Sequence, residues 1–188
     1  MTFSFDVKSF LESVGTIIDE DGICMTTRAD YPNTLAIRFL RAKRIPFYPH
    51  LYQYEEHGGT RHAAESLGVP EHAVIKTLVM EIDARNPLLV LMHGDYEVSI
   101  KQLARALGVK QVTPCSSAVA HKYTGYQVGG ISPFGTRRAL PAYVETSIFE
   151  LNVIYINGGK RGFLVEIDPQ VLETVLPTTR VEVARTRV

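Results

Sequence analysis

Residues 73–94 read AVIKTLVMEIDARNPLLVLMHG, and the fold turns on how this stretch is taken. A ten-residue run, mostly β-branched and apolar, is interrupted by DARNP and followed by a second apolar run. Two such runs flanking a turn signal predict a β-hairpin with a longish turn. Lys76 is a misfit in the middle of the first run. Alternation places Ile75, Thr77 and Val79 on one face and Lys76, Leu78 and Met80 on the other. A lysine sharing a face with leucine and methionine needs a partner or a cavity. A snorkelling or edge-strand lysine is the ordinary alternative.

Beyond the hairpin, Ser99 and Gln102 read as a capping box on a helix ending at Gly108. KQVTPC (110–115) is a short strand, and Ser116 or Ser117 caps a helix through His121. AYVE (142–145), VIYIN (153–157) and GFLVEI (162–167) read as strands, with GGKR (158–161) as a tight turn between the last two. Asp168 precedes a proline suited to the first helical position, and that helix ends near Pro177. RVEVA (180–184) is a terminal strand.

Before the hairpin, TRHAAESLG (60–68) is a short helix closed by Gly68, and PFYPHLYQY (46–54) is extended. Thr34 caps a helix carrying Leu35, Ile37, Phe39, Leu40 and Ile45, stopped by Pro46. Apolar residues from Phe3 to Ile18 form the stripe of a short helix, and residues 19–33 form a connector. Residues 1–33 therefore read as an N-terminal extension and 34–188 as the main domain. Strands and helices mix without strict alternation, which predicts an α+β fold around a mixed sheet rather than a doubly wound parallel one.

The chain has 188 residues, with 20 basic and 20 acidic side chains. One domain with an appendage fits that length. A net charge of zero gives no global field toward nucleic acid or anionic membrane, so any polyanion site is a local cluster. The apolar runs fall short of the roughly 18 residues of a membrane span, and the N-terminus lacks a secretory pattern. Cys24 and Cys115 have no spacing that demands a disulfide. A reduced, cytoplasmic protein is expected.

YQVGGISPFGTRRALP (126–141) has no hydrophobic period yet sits between packed segments. Long irregular segments inside compact domains are usually functional or disordered. Gly129 and Gly130 permit close ligand approach, and their N–H groups would suit an anion nest or oxyanion hole; a plain turn is the alternative. Arg137–Arg138 and Lys160–Arg161 both follow glycine turns and would suit phosphates. The histidines show no zinc spacing, and neither metal nor cofactor is expected. Cys115 would be a thiol nucleophile only with a partner that the sequence does not name.

Together, AVIKTLVM (73–80), TGYQVGGISPFGTRRALP (124–141) and IYINGGKRGFLVEI (154–167) resemble the YbaK/ProX family of aminoacyl-tRNA editing domains. The resemblance runs from about Thr34 onward. It implies a mixed, strongly curved sheet flanked by helices and a stand-alone deacylase that clears mischarged tRNA, Cys-tRNA(Pro) being the best-known substrate. It places Lys76, Thr77, Gly129, Gly130 and Asn157 at the editing pocket, and Tyr52 there by a looser match for which Tyr54 is a rival. The partners implied are aminoacyl-tRNA and a synthetase, prolyl-tRNA synthetase. Two positions depart from the cysteine-specific members, which have serine at Asn157 and aspartate at Leu164. Cysteine specificity therefore does not carry over directly, and a small amino acid, cysteine or alanine, is the expected cargo. A binding module for the tRNA end without hydrolysis is the alternative.

Overall fold

The computed structural model describes residues 16–18, 24–26, 31–83 and 86–187, the first two stretches by backbone alone. The chain divides into two compact units, Met1–Tyr31 and Pro32–Val188. In the first unit, β1 (Thr16–Ile18) pairs antiparallel with β2 (Cys24–Thr26), Ile17 opposite Met25. This corrects two expectations. Ile17 and Ile18 belong to a strand rather than a helical stripe, and residues 24–26 of the supposed connector form its partner. β-branched Thr16, Ile17 and Ile18 in sequence favour extended backbone. The stripe from Phe3 to Val14 lies outside the described residues.

The second unit opens with α1 (Leu35–Ala42), whose N-cap Thr34 accepts from Ile37 N–H at 3.2 Å. Its apolar stripe buries Ile37 and Leu40 completely, and Phe39 stacks on Phe134 at 6.2 Å. β3 (Tyr48–Leu51) and α2 (Gly59–Leu67) follow, the helix ending at Gly68 in the left-handed conformation that glycine adopts without strain. The expected hairpin is β4 (Val74–Ile82) against β5 (Asn86–His93), in continuous antiparallel register from Ile75↔His93 to Ile82↔Asn86. After it come β6 (Tyr96–Val98), α3 (Ile100–Ala106), β7 (Val112–Pro114) and α4 (Ser117–Thr124). Ser99 caps α3 and Ser116 caps α4.

Then come β8 (Ala142–Glu145), β9 (Ile154–Lys160), β10 (Phe163–Ile167), α5 (Val171–Val175), β11 (Thr178–Val181) and β12 (Ala184–Thr186). The main sheet runs β11-β8-β5-β4-β9-β10-β3, with β7 also paired to β4. The β11–β8, β8–β5 and β4–β9 pairs are parallel and the rest antiparallel, so the sheet is mixed, as expected. Alternate residues of the hairpin feed one packed face, where Met80, Leu88, Val90 and Met92 meet Val98, Leu103 and Val183.

Two local expectations are corrected. The turn after β9 falls at Arg161–Gly162, because Gly158 and Gly159 stay in the strand. A Cβ on Gly158 would lie 2.6 Å from the Phe163 ring, and Gly159 sits at φ +94° against Tyr126 and Thr34. These glycines let the Phe163 and Tyr126 rings approach the strand closely. The terminal strand is in fact two: β11 extends the main sheet, whereas β12 pairs with β6. Glu145 causes this break by accepting from the N–H groups of both Val183 and Ala184 at 2.8 Å, which turns the chain away. Among the described residues no helix is long and apolar enough to cross a membrane.

Candidate active site

The site begins with a division of one strand's edge. β4 gives its free edge to β9 at Val74 and Ile75, and to β7 at Met80 through Ile82. Cys115 N–H bonds Val79 O at 3.0 Å, so the peptide groups of Val79 point toward β7. The pleat then points those of Thr77 to the same edge and those of Lys76 and Leu78 toward β5. At Thr77 neither β9 nor β7 is alongside, and the sheet is split there.

A cleft of ≈ 770 Å³ opens at the split. Val74 through Met80 form its floor, and Tyr52, Gly129, Asn157, Arg161 and Leu164 stand around it. The fold therefore brings together Lys76, Thr77, Gly129, Asn157, Tyr52 and Arg161, all of them candidates on sequence grounds. Both rivals for the aromatic position, Tyr52 and Tyr54, line the cleft.

Thr77 Oγ1 is buried without a hydrogen-bond partner. Such groups are uncommon, because leaving a buried hydroxyl unpaired costs about 1–3 kcal/mol. Lys76 is better satisfied. Its Nζ donates to Gly94 O at 3.2 Å and to Tyr96 O. Burial, followed by repulsion from the Arg187 guanidinium, holds its pKa below the ordinary lysine value, while Glu71, Glu97 and Asp95 pull the other way. Arg187 itself lines the cleft, bonding Gly94 O at 2.6 Å and Glu71 at 3.2 Å. Nothing near Arg187 in the sequence signals a site; β12 pairing with β6 carries it there.

The two loop glycines have different jobs. Gly129, at φ +87°, passes under the Tyr54 hydroxyl and the Arg161 guanidinium, 3.0 and 3.3 Å from where its Cβ would stand. Gly130 is not part of the lining. Its N–H closes a turn on Gln127 O at 2.9 Å, so it is not available for an anion nest. A Cβ there would meet Arg161 N at 2.9 Å and Lys160 C at 3.0 Å. Gly130 thus seats the loop against the end of β9. Asn157 binds the same loop, donating through Nδ2 to Gly129 O at 3.1 Å and accepting from Gly159 N–H at 2.8 Å. Arg161 adds a bond to Val128 O at 2.8 Å and lies 5.0 Å over the Tyr54 ring.

Leu164 and Asn157, the two departures noted in the sequence, are directly opposed across β10 and β9. Leu164 packs with Ala63, Ala64 and Val74, giving the cleft an apolar end bordered by Tyr52. Burial, then proximity to Tyr54, raises the Tyr52 phenol pKa, so Tyr52 stays a neutral donor.

Arg137, Arg138 and Lys160 lie on the exposed surface away from the lining. Arg138 reaches over Tyr123 at 5.9 Å, and Arg137 packs on Gly125. Cys115 lines the cleft, but burial, together with the Glu81 carboxylate beside it, pushes its thiol up to about 11. A thiol so seldom ionised at neutral pH is a poor nucleophile. Among the described residues no group of three His, Cys, Asp or Glu side chains is placed to hold a metal.

Comparison with known proteins follows the same outline. The profile described as "Aminoacyl-tRNA editing domain" matches residues 56–175. "Putative Cys-tRNA(Pro)/Cys-tRNA(Cys) deacylase EbsC" of Enterococcus faecalis is 29% identical over 79% of this chain and 91% of its own. "Proline--tRNA ligase" of Thermodesulfovibrio yellowstonii is 25% identical over 83% of this chain but only 27% of the ligase. A crystal structure described as "a putative trans-editing enzyme for prolyl tRNA synthetase" superposes with a TM-score of 0.72 at 18% identity, covering 82% of this chain and 99% of that one.

Proposed function

The chain belongs to the aminoacyl-tRNA editing domain family, and from that premise we propose that it hydrolyses the ester of mischarged tRNA carrying a small amino acid. The observation that carries this reading is the partnerless Thr77 hydroxyl at the split edge of β4. An arriving ester supplies the polar atom that this hydroxyl lacks. Attack on the carbonyl builds negative charge on its oxygen. Thr77 Oγ–H and the Thr77 N–H directed into the split are donors for that charge. Lys76, held on two carbonyls beside Arg187, gives this end of the cleft positive potential and fixes the ribose or its phosphate. The ester C–O bond then breaks, and the ribose hydroxyl leaves with a proton. The attacking group is a water activated by the substrate's vicinal ribose hydroxyl or, with cysteine, the substrate's own thiol, which passes its proton to the leaving ribose oxygen and departs as a cyclic thioester that water then opens.

The aminoacyl side chain points to the apolar end at Leu164, Ala63 and Val74. Leucine there, in place of a charged acceptor, suits cysteine or alanine, with overlap onto serine. One methylene in an apolar pocket is worth only about 1–3 kcal/mol, so a single exclusive substrate is not expected. The likeness to proline–tRNA ligase supports a prolyl-tRNA link.

The test is steady-state deacylation of matched cysteinyl-, alanyl-, seryl- and leucyl-tRNA. Turnover of the first two is expected, and turnover of alanyl-tRNA would show that attack by a substrate thiol is not required. A preference for the leucyl ester would overturn the small-pocket reading. Binding without turnover would leave a tRNA-end binding module.

A further inference from the structure

Beside the cleft, α3 and β7 enclose a second groove. It is lined by Lys101, Arg105, Lys110, Gln111 and Val112, and it shares Ile100 with the cleft. Both elements run from one depression to the other. The cleft takes Ile100 from the start of α3 and Pro114 from the end of β7. The groove takes Arg105 further along α3 and Val112 from the start of β7.

The charge of the groove is one-sided. Lys101 and Arg105 stand one turn apart on the same face of α3, and the turn at Gly108, φ +66°, brings Lys110 alongside. All three are exposed, and among the described residues none joins an ion pair. By contrast Arg161 already serves a carbonyl and a tyrosine ring. Glu97, which lines the cleft near Ile100, is paired with Arg185. Ile100 is 38% exposed there, an apolar seat between the two depressions.

We propose that this groove is the track along which the single-stranded 3′ end of the RNA leaves the cleft, its phosphates bound by Lys101, Arg105 and Lys110 and a base or ribose resting on Ile100. The proposal rests on the aminoacyl-tRNA reading above for the contents of the cleft. Phosphate neutralisation by side chains of this kind makes binding salt-dependent, with a slope of about 0.7 per contact for a single strand.

The experiment uses the full chain and a Lys101→Gln, Arg105→Gln, Lys110→Gln triple variant. Affinity for uncharged tRNA is measured by fluorescence anisotropy from about 50 to 200 mM salt. The slope of log Kd against log[salt] is expected to fall by about 2, and by about 0.7 in each single variant. Deacylation of aminoacyl-tRNA should show a raised KM, while hydrolysis of the same amino acid esterified to adenosine alone stays unchanged. An unchanged slope overturns the proposal. So does equal loss on both esters, which would place the effect in the cleft. If the wild type hydrolyses neither ester, the deacylase reading fails, and the slope comparison still decides the groove.

Discussion

Replacing Thr77 with valine exchanges a buried hydroxyl for a methyl of nearly the same shape. In most cores this is destabilising, because the hydroxyl has a partner. Here Oγ1 is buried with no partner within the protein, and a buried hydroxyl left unpaired costs about 1–3 kcal/mol. Thr77→Val should relieve it. In a domain of about 150–250 residues each kcal/mol moves Tm by roughly 2–4 °C, so an increase of about 2 to 12 °C is expected. On the proposed mechanism the same substitution removes a donor to the reacting carbonyl, and the loss of one such donor typically lowers kcat by about a hundred- to a thousandfold. Thr77→Ser keeps the donor and should retain most of the turnover. The assay pairs thermal denaturation with steady-state deacylation on one preparation. A lower Tm for Thr77→Val would mean that the hydroxyl is satisfied in the free protein. Unchanged turnover would remove Thr77 from the chemistry. Either result refutes the reasoning.

Lys76→Met should abolish deacylation while the chain stays folded, since Gly94 O keeps its bonds from Thr60 and Arg187; circular dichroism and turnover check both halves. Gly130→Ala puts a methyl against main chain at 2.9 Å, so Tm should fall by the equivalent of about 1–3 kcal/mol of overpacking, with activity falling as Gly129 shifts. Burial, outweighing its bond to His72 O, depresses the pKa of His93. A histidine of depressed pKa takes up its proton more readily when unfolded, so its stability contribution is complete above about pH 6.5 and declines as the pH falls. Melts from neutral to acid pH should show that decline, and it should be shallower in His93→Gln.

Features set by near neighbours in the chain are legible in the sequence. Thr34, Ser99 and Ser116 cap the helices they are expected to cap, because a cap depends on residues only three positions apart. The β4–β5 hairpin is legible for the same reason: its partners adjoin in sequence. The split of β4's outer edge is not, since it depends on β9 and β7, which lie on opposite sides of the loop in the sequence. Gly129 and Gly130 look alike as a pair of letters. Only the approach of residues 160 and 161 makes one of them a wall of the cleft and the other a spacer beneath it. Arg187 gives no local signal because its place depends on the Glu145 contacts that end β11 and release the chain toward β6.

The split edge of β4 also bears on how such a protein can change. At Thr77 two of the groups facing the gap are an amide and a carbonyl of the main chain, which every residue but proline carries. Substitution cannot easily delete them, so the part of the cleft that the proposed mechanism sets against the reacting carbonyl is buffered against sequence drift. On the proposed reading, selectivity is held elsewhere, in the side chains of Asn157 and Leu164, which are register partners on neighbouring strands. These two positions can be exchanged without rebuilding the floor. If the proposed function holds, a lineage can retune which amino acid is cleared by altering one opposed pair, while the main-chain groups of the floor pass unchanged from one specificity to the next.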